Sequence, residues 1–444
     1  MDDAEERGLG YRWYVVILLA ILSIVSYADR LVLGILVQPI KEELGVSDTA
    51  MGFLLGFSFA MVYAVLALAL ARVADRWNRK RLIIIGVVIW SVMTSASAFA
   101  DGFWQLAFCR LGVGIGEAAL GPAALSIIAD LFRQERRHVP VSMFLAAGVV
   151  GSTGAYIIGG GAILLVNSMD STSLPIVGEL SAWRLVFLFM GLPGLVLSAL
   201  MILTVQEPKR RGDTSKPQAT YSDIFAHLKD QVAVYFPIFA GIGVIQTVIY
   251  AIVAWFPTIL VRTHEVPIAD AGILYGTVGL IFGTAGAIFG PYLAGLLQRN
   301  GRDDGLHIVG FSFVALPVPF VFLTLLAPTV AIALIAVAVV LFCFMASSAM
   351  PPLLPQLVAP NAMRAQITAL YYFVGNIMGL GMGPLVVGLI SDNQVFGASN
   401  LNQSILVVCS ILMPIALLIL GFGWRTFRAG AHEAKSANRS ISET

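Results

Sequence analysis

Long apolar runs alternate with short polar connections along the whole chain. Twelve runs stand out, near residues 13–36, 50–74, 82–100, 103–131, 139–166, 184–205, 232–261, 270–297, 306–327, 329–350, 363–391 and 402–424. Each holds about 18 or more residues, enough as a helix to cross a hydrocarbon layer of about 30 Å. Backbone amides find no water inside lipid, so each run is expected to close its own hydrogen bonds as an α-helix. The weakest separators are Pro328, which alone divides runs nine and ten, and Pro351-Pro352. The pattern predicts an all-α polytopic membrane protein with twelve transmembrane helices.

Charge sharpens this picture. Only 12% of the 444 residues are charged and 58% are apolar, against roughly 25% charged in a soluble domain. The mean hydropathy is +0.87. A polar stretch from Glu207 to Asp230 separates runs six and seven. It implies a first six-helix bundle over 1–205, a linker over 206–230, and a second bundle with a tail over 231–444. If both tails and the even-numbered connections share one side, that side gathers Arg76, Arg79, Lys80 and Arg81, then Arg133, Arg136 and Arg137, the linker cations and Arg425. The other side keeps Lys41 and Arg262. The positive-inside rule then places both termini in the cytoplasm, which requires an even number of spans. Short tails and no targeting signal suit a plasma membrane or bacterial inner membrane. The first run is too long for a signal-peptide core and is expected to be retained.

Other chemistry is thinly represented. A formal net charge of +1 implies no polyanionic partner such as nucleic acid. Three cysteines, all inside apolar runs, suit neither a disulfide framework nor a zinc site. There is no H-E-x-x-H zinc motif and no phosphate-binding loop, so neither an enzyme nor an ATP-driven pump is expected, and no cofactor or metal. The five histidines fall in loops, tails or span ends, which excludes a histidine relay at the midplane.

Four charges cannot be explained by surface exposure. Asp29 and Arg30 lie deep in run one, and Arg110 and Glu117 lie in run four. A charge at the bilayer centre costs at least about 2.5–3.5 kcal/mol, so such residues face partners or a wet cavity. At about 1.5 Å per residue, Asp29, Arg30 and Arg110 sit at similar depth, with Glu117 about 10 Å further on along the same face of run four. Carboxylates there can exchange protons and arginines can hold an anionic head group. Glu117, flanked by Gly116 and Ala118 with no basic residue one turn away, is the better proton site, with Asp29 second. The plainer reading is an ion pair stapling helices one and four, for which two carboxylates and two arginines are more than is needed.

Glycines form faces. Run eight carries Gly272, Gly276, Gly279, Gly283, Gly286 and Gly290 at helical spacing, run five has Gly148, Gly151 and Gly154, and run eleven has Gly375, Gly379, Gly381 and Gly383. Such stripes permit close packing, or smooth surfaces for rocking of one half against the other. In the second half, Gln246 and Tyr250 on run seven and Tyr371, Tyr372 and Asn376 on run eleven could meet an amphiphile, although aromatic residues in spans more often simply pack.

Between runs two and three the chain reads Ala71-Arg-Val-Ala-Asp75-Arg76-Trp-Asn78-Arg79-Lys80. This resembles the major facilitator signature G-x-L-A-D-R-x-G-R-K, with Ala71 and Asn78 in place of two glycines. The resemblance implies a conformational gating motif of Asp75, Arg76, Arg79 and Asp130, in which Asp75 meets the facing half and Arg76 pairs with Asp130. Asn78 is expected to supply the turn through its tolerance of left-handed backbone. Ser26-Tyr27-Ala28-Asp29-Arg30, Arg110-Leu-Gly-Val-Gly-Ile-Gly116-Glu117-Ala118, Ile128-Ala-Asp130, Trp183-Arg184 and Gly388-Leu-Ile-Ser-Asp392 together resemble the Spinster branch, whose members export lysolipids. That resemblance implies alternating access by a monomer. It makes Asp29, Arg30 and Glu117 the polar centre of the cavity and protons the coupling ion. Arg30, Arg110, Glu117, Gln246, Tyr250, Tyr371 and Asn376 would bind the lysolipid. A proton-coupled symporter for small organic anions is the alternative.

Overall fold

The computed structural model describes residues 8–169, 173–174, 178–210, 221–302, 304–348, 358–360, 363–397 and 400–442. Among them are 12 helices long and apolar enough to cross a membrane. Spans one to six are Leu9–Gly34, Asp48–Arg76, Arg79–Phe99, Phe103–Leu131, His138–Asn167 and Ala182–Thr204. Spans seven to twelve are Val232–His264, Ile268–Arg299, Gly305–Leu326, Val330–Ser347, Gln366–Asn393 and Leu401–Trp424. Their ends fall within a few residues of the apolar runs, and Pro351-Pro352 lies outside the described residues. The last helix continues without a break to Ser442. One departure from an all-helical fold is a two-residue ribbon, Ser173–Leu174 paired antiparallel with Gly178–Glu179, between spans five and six. Large apolar side chains stay exposed along the spans, with Phe108 66%, Leu203 82% and Phe422 79% accessible. Such a surface is stable against lipid and not against water. This is a multi-pass membrane protein.

Local sequence explains the helix ends. Gly45 adopts a positive φ of 63° and stops the short helix Val37–Leu44 that follows span one. Ser47 then caps span two by accepting the Ala50 amide at 3.2 Å. Asn78 does not form the left-handed turn expected of it. Its backbone is extended, and its side chain accepts the Arg81 amide at 2.8 Å as the N-cap of span three. The polar residue satisfies an orphan amide, a stronger requirement here than a glycine-like turn.

The chain forms two compact units, one of residues 1–215 with 254–277 and one of residues 216–253 with 278–444. In the first, span one lies along span five, and span three packs on spans four and six. Glycines bring backbones together. A Cβ at Gly116 would lie 2.5 Å from the Gly86 carbonyl oxygen and 2.7 Å from the Trp90 amide nitrogen. Gly191 and Gly194 of span six similarly admit Ser95 and Ser91 of span three. The start of span eight belongs here because Gly272 abuts the Tyr156 carbonyl of span five and Gly160 abuts the Ala269 carbonyl. Tyr156 and Tyr275 meet edge to face at 4.9 Å.

In the second unit, span ten packs on spans eight and nine around Val309, Phe313, Cys343 and Ala346. The short helix Tyr221–Asp230 lays Ile224 against Tyr235, Ala359 and Ile367. Span eight widens into a π-helical turn at Gly279–Gly283, and its glycine face is divided on either side. Gly272 and Gly276 face span five, whereas Gly286 and Gly290 lie directly against the Phe342 and Ala346 carbonyl oxygens of span ten. Gly290→Val is therefore expected to reduce the melting temperature in detergent by several degrees, since it forces backbone apart at a cost of about 1–3 kcal/mol. Gly295→Ala, with nothing within 4 Å of its Cβ, should be neutral or slightly stabilising.

Candidate functional site

The four intramembrane charges converge in the first unit. Span one loses its α-helical pitch after Leu31 and tightens into a 3-10 turn over Val32–Gly34. Carbonyls of its last turn need partners. Arg110 supplies them: Nη2 donates to the Arg30 carbonyl at 2.9 Å and Nη1 to the Asp29 carbonyl at 3.3 Å. Span four breaks just after Glu117, into Phe103–Glu117 and Leu120–Leu131. Pro122 explains the break, because its ring opposes the Ala118 carbonyl and it has no amide to donate. The glycine seam with span three then holds Glu117 against the bundle interior.

Arg30 and Glu117 form an ion pair through the same carboxylate oxygen, Oε2, which accepts Nη2 and also Nε at 3.0 Å. The Glu117 side chain is fully buried and Arg30 is 10% exposed. The rings of Tyr27, Phe59 and Tyr63 lie around the guanidinium. Asp29 is fully buried and has a different surrounding. Its Oδ2 accepts a 3.4 Å hydrogen bond from the Thr94 hydroxyl. Asp29 Oδ1, Glu117 Oε1 and Arg110 Nε are buried without a hydrogen-bond partner among the described residues.

Two expectations change here. Glu117 has no basic neighbour along its own helix, but span one delivers Arg30 to it. Arg110 is fully buried and engaged with backbone carbonyls, so it orients the end of span one. It is not presented as an open anion receptor.

The second unit gathers the polar and aromatic residues of spans seven and eleven. Gly379 lets span eleven approach Gln246 and Tyr250, each with an atom 2.8 Å from where a Cβ would sit. The Gln246 side chain lies near the Tyr371 hydroxyl. Asn376 donates to the Tyr372 carbonyl one turn back at 2.8 Å and opens a π-helical stretch, Asn376–Met382. The irregular backbone frees the Met378 carbonyl, which accepts the Thr247 hydroxyl at 2.8 Å.

At the arginine-rich end of the first unit, the signature is wired differently from expectation. Asp75 and Arg76 are exposed. Asp130 pairs with Arg79, not with Arg76. Arg79 is fully buried, donating Nε to Glu207 at 2.7 Å, Nη1 to Ser126 Oγ at 3.0 Å and Nη2 to the Pro208 carbonyl at 2.8 Å. Glu207 also accepts the Lys80 amide at 2.8 Å, a carboxylate at a helix N-terminus. The reason is register: three residues beyond Arg76, Arg79 opens span three and points into the bundle. At the opposite end of the unit, Lys41 and Arg262 both pair with Asp48, Arg262 through two bonds of 2.9 and 3.0 Å. Arg262 Nε also donates to Gln38 at 2.7 Å.

The family model for the Major Facilitator Superfamily matches residues 19–384. The chain belongs to that superfamily. Spinster proteins are among the relatives it resembles. An MFS-type efflux pump of Mycolicibacterium smegmatis is 28% identical over 94% of both chains. Protein spinster homolog 1 of Xenopus laevis is 27% identical, covering 94% of this chain and 81% of its own. Among solved structures, a bacterial homologue of the human lysosomal transporter Spinster, inward-facing and unoccupied, superposes with a TM-score of 0.82. It is 23% identical, with 96% of this chain and 99% of that one covered, a likeness of fold.

Sequence reasoning missed Asp48, Thr94, Phe59, Tyr63 and Glu207. Asp48 carried a signal, as an acid close to Lys41 at the end where basic residues are scarce. The others become visible only when helices pack. Because Arg79 neutralises Asp130 and Glu207, Arg79→Gln should cost about 3–5 kcal/mol, the penalty for breaking a buried pair. Arg76→Gln should stay within about 0.5 kcal/mol, as exposed substitutions do. Thermal unfolding of the two purified variants checks the assignment.

Proposed function

We propose that this member of the superfamily is a proton-coupled secondary active transporter that moves a lysolipid or related amphiphilic anion by alternating access. Both termini would lie on the cytoplasmic side, where the arginine-rich connections gather. The observation that carries the reading is the charge arrangement inside the first unit. Two carboxylates and two arginines lie deep in apolar spans, and the hydrogen-bonded side-chain ion pair is Arg30 with Glu117. A staple between helices would need that pair alone.

Asp29 and Glu117 are the proton-coupling residues in this reading. A neutral carboxyl group costs less to enclose than a carboxylate, so proton uptake alters the cost of closing the site. When Glu117 takes up a proton, Arg30 is left to receive the anionic head group, and charge balance is kept. Arg110 holds Asp29 and Arg30 in position through their carbonyls. Gln246, Tyr250, Tyr371 and Asn376 of the second unit are further substrate-binding residues in this reading, offering polar and aromatic contacts of the kind an amphiphile can use. Asp75 and Arg76 keep the gating role of the signature, with Arg79 and Asp130 fixing the helix ends beside them. The resemblance to the Spinster branch supports a lysolipid over a small solute.

Reconstitution into liposomes tests this. A fluorescent lysolipid should cross with an imposed pH gradient and slow about tenfold, roughly 1.4 kcal/mol in the driving term, when a protonophore collapses it. Glu117→Gln and Asp29→Asn should each remove the pH dependence in folded protein. Transport of small carboxylates with no movement of lysolipid would replace this reading with an organic anion symporter.

A further inference from the structure

The Arg30 guanidinium has a second set of partners that do not titrate with Glu117. Its Cζ lies 4.3 Å from the ring centroid of Phe59, 4.9 Å from that of Tyr27 and 5.0 Å from that of Tyr63. Phe59 and Tyr63, one turn apart on span two, stack at 5.1 Å with 21° between their planes. Tyr27 stands one turn before Arg30 on span one. The π faces attract a cation through their quadrupole, most strongly where water is excluded.

Three glycines seat these rings. A Cβ at Gly114 of span four would lie 3.0 Å from the Phe59 carbonyl and 3.5 Å from its ring. Cβ atoms at Gly148 and Gly151 of span five would each lie 3.2 Å from Tyr27. Part of the glycine stripe on span five and part of the G-x-G-x-G run on span four therefore serve the aromatic residues around one arginine.

We infer that Tyr27, Phe59 and Tyr63 form a cage of positioning residues that keeps Arg30 in place when Glu117 releases it, and so fixes the site's preference for anionic head groups. The inference rests on the reading of Arg30 as the anion receptor. Among the described residues, Glu117 is the carboxylate that accepts from the guanidinium. A protonated Glu117 weakens that attachment, and an uncaged arginine would swing toward water and carry the receptor away. The rings keep their attraction at any degree of Glu117 protonation. A preorganised cation then loses no ordering entropy when the anion arrives.

Phenylglyoxal, an arginine-selective reagent, read out by mass spectrometry at Arg30, follows the cage without any substrate. Glu117→Gln imitates the released state and should leave Arg30 labelling within about twofold of the unaltered protein, since the cage retains most of the binding. Adding Phe59→Leu or Tyr27→Leu to Glu117→Gln should raise labelling about tenfold, and adding Tyr27→Phe should not. Exposure of Arg30 by Glu117→Gln alone, or no rise with either leucine, overturns the cage. Tyr27 is only partly buried, so its variants decide the matter even where Phe59→Leu fails to fold. In binding, Tyr27→Leu should weaken lysophosphatidic acid about tenfold and spare the monoacylglycerol of the same chain. Equal loss of both would make the ring simple packing and overturn the specificity role. Binding of neither ligand by the unaltered protein would remove the lysolipid reading, and the labelling experiment would still judge the cage.

Discussion

The Arg30–Glu117 ion pair lies in a region where the alternative to a partner is hydrocarbon, so neither residue can be placed without the other. Meeting that condition constrains the first bundle at several levels. Span one must lose its α-helical pitch near Leu31, span four must break after Glu117, and spans three and four must touch at backbone distance. Each of these costs regular helix and is supported by a specific residue. Pro122 breaks span four, Arg110 satisfies the loosened carbonyls, and Gly86 with Gly116 permits the approach. The polar centre and the irregular backbone are therefore one feature.

A similar economy appears at both ends of the unit. Arg79 gathers Asp130, Ser126, Glu207 and Pro208 around one guanidinium, tying spans three and four and the first linker residues together. Asp48 plays the complementary part, one carboxylate receiving both Lys41 and Arg262. Planar guanidinium groups suit such positions because several donors act in fixed directions at once.

The number and limits of the spans were legible in the chain, because lipid imposes a length of apolar residues and the basic residues alternate with the connections. So was the presence of a charged centre, since Asp29, Arg30, Arg110 and Glu117 have no surface to reach. Who pairs with whom was not. Arg76 and Arg79 lie in one signature, and only the helix register after the Asn78 cap turns the second of them inward. Phe59 and Tyr63 look like ordinary lipid-span aromatics until Gly114 brings span two against span four. The π-helical turns in spans eight and eleven have glycines in common, but many glycines in this chain lie in plain α-helix, so composition alone gives no warning.

The glycines differ in what opposes them, and this has a consequence for how the protein can vary. At Gly112 the obstacle is the flexible side chain of Met93, and at Gly159 it is the end of Ile35. Shrinking either neighbour would make room, so a larger residue there could be rescued by a second substitution. At Gly86, Gly116, Gly286 and Gly290 the nearest obstacle is a carbonyl oxygen. No change of side chain removes a carbonyl. At these positions, as at Gly160, Gly272 and Gly383, a larger residue meets main chain that no neighbouring side-chain change can withdraw, so drift is expected to be slower there than where a side chain stands opposite.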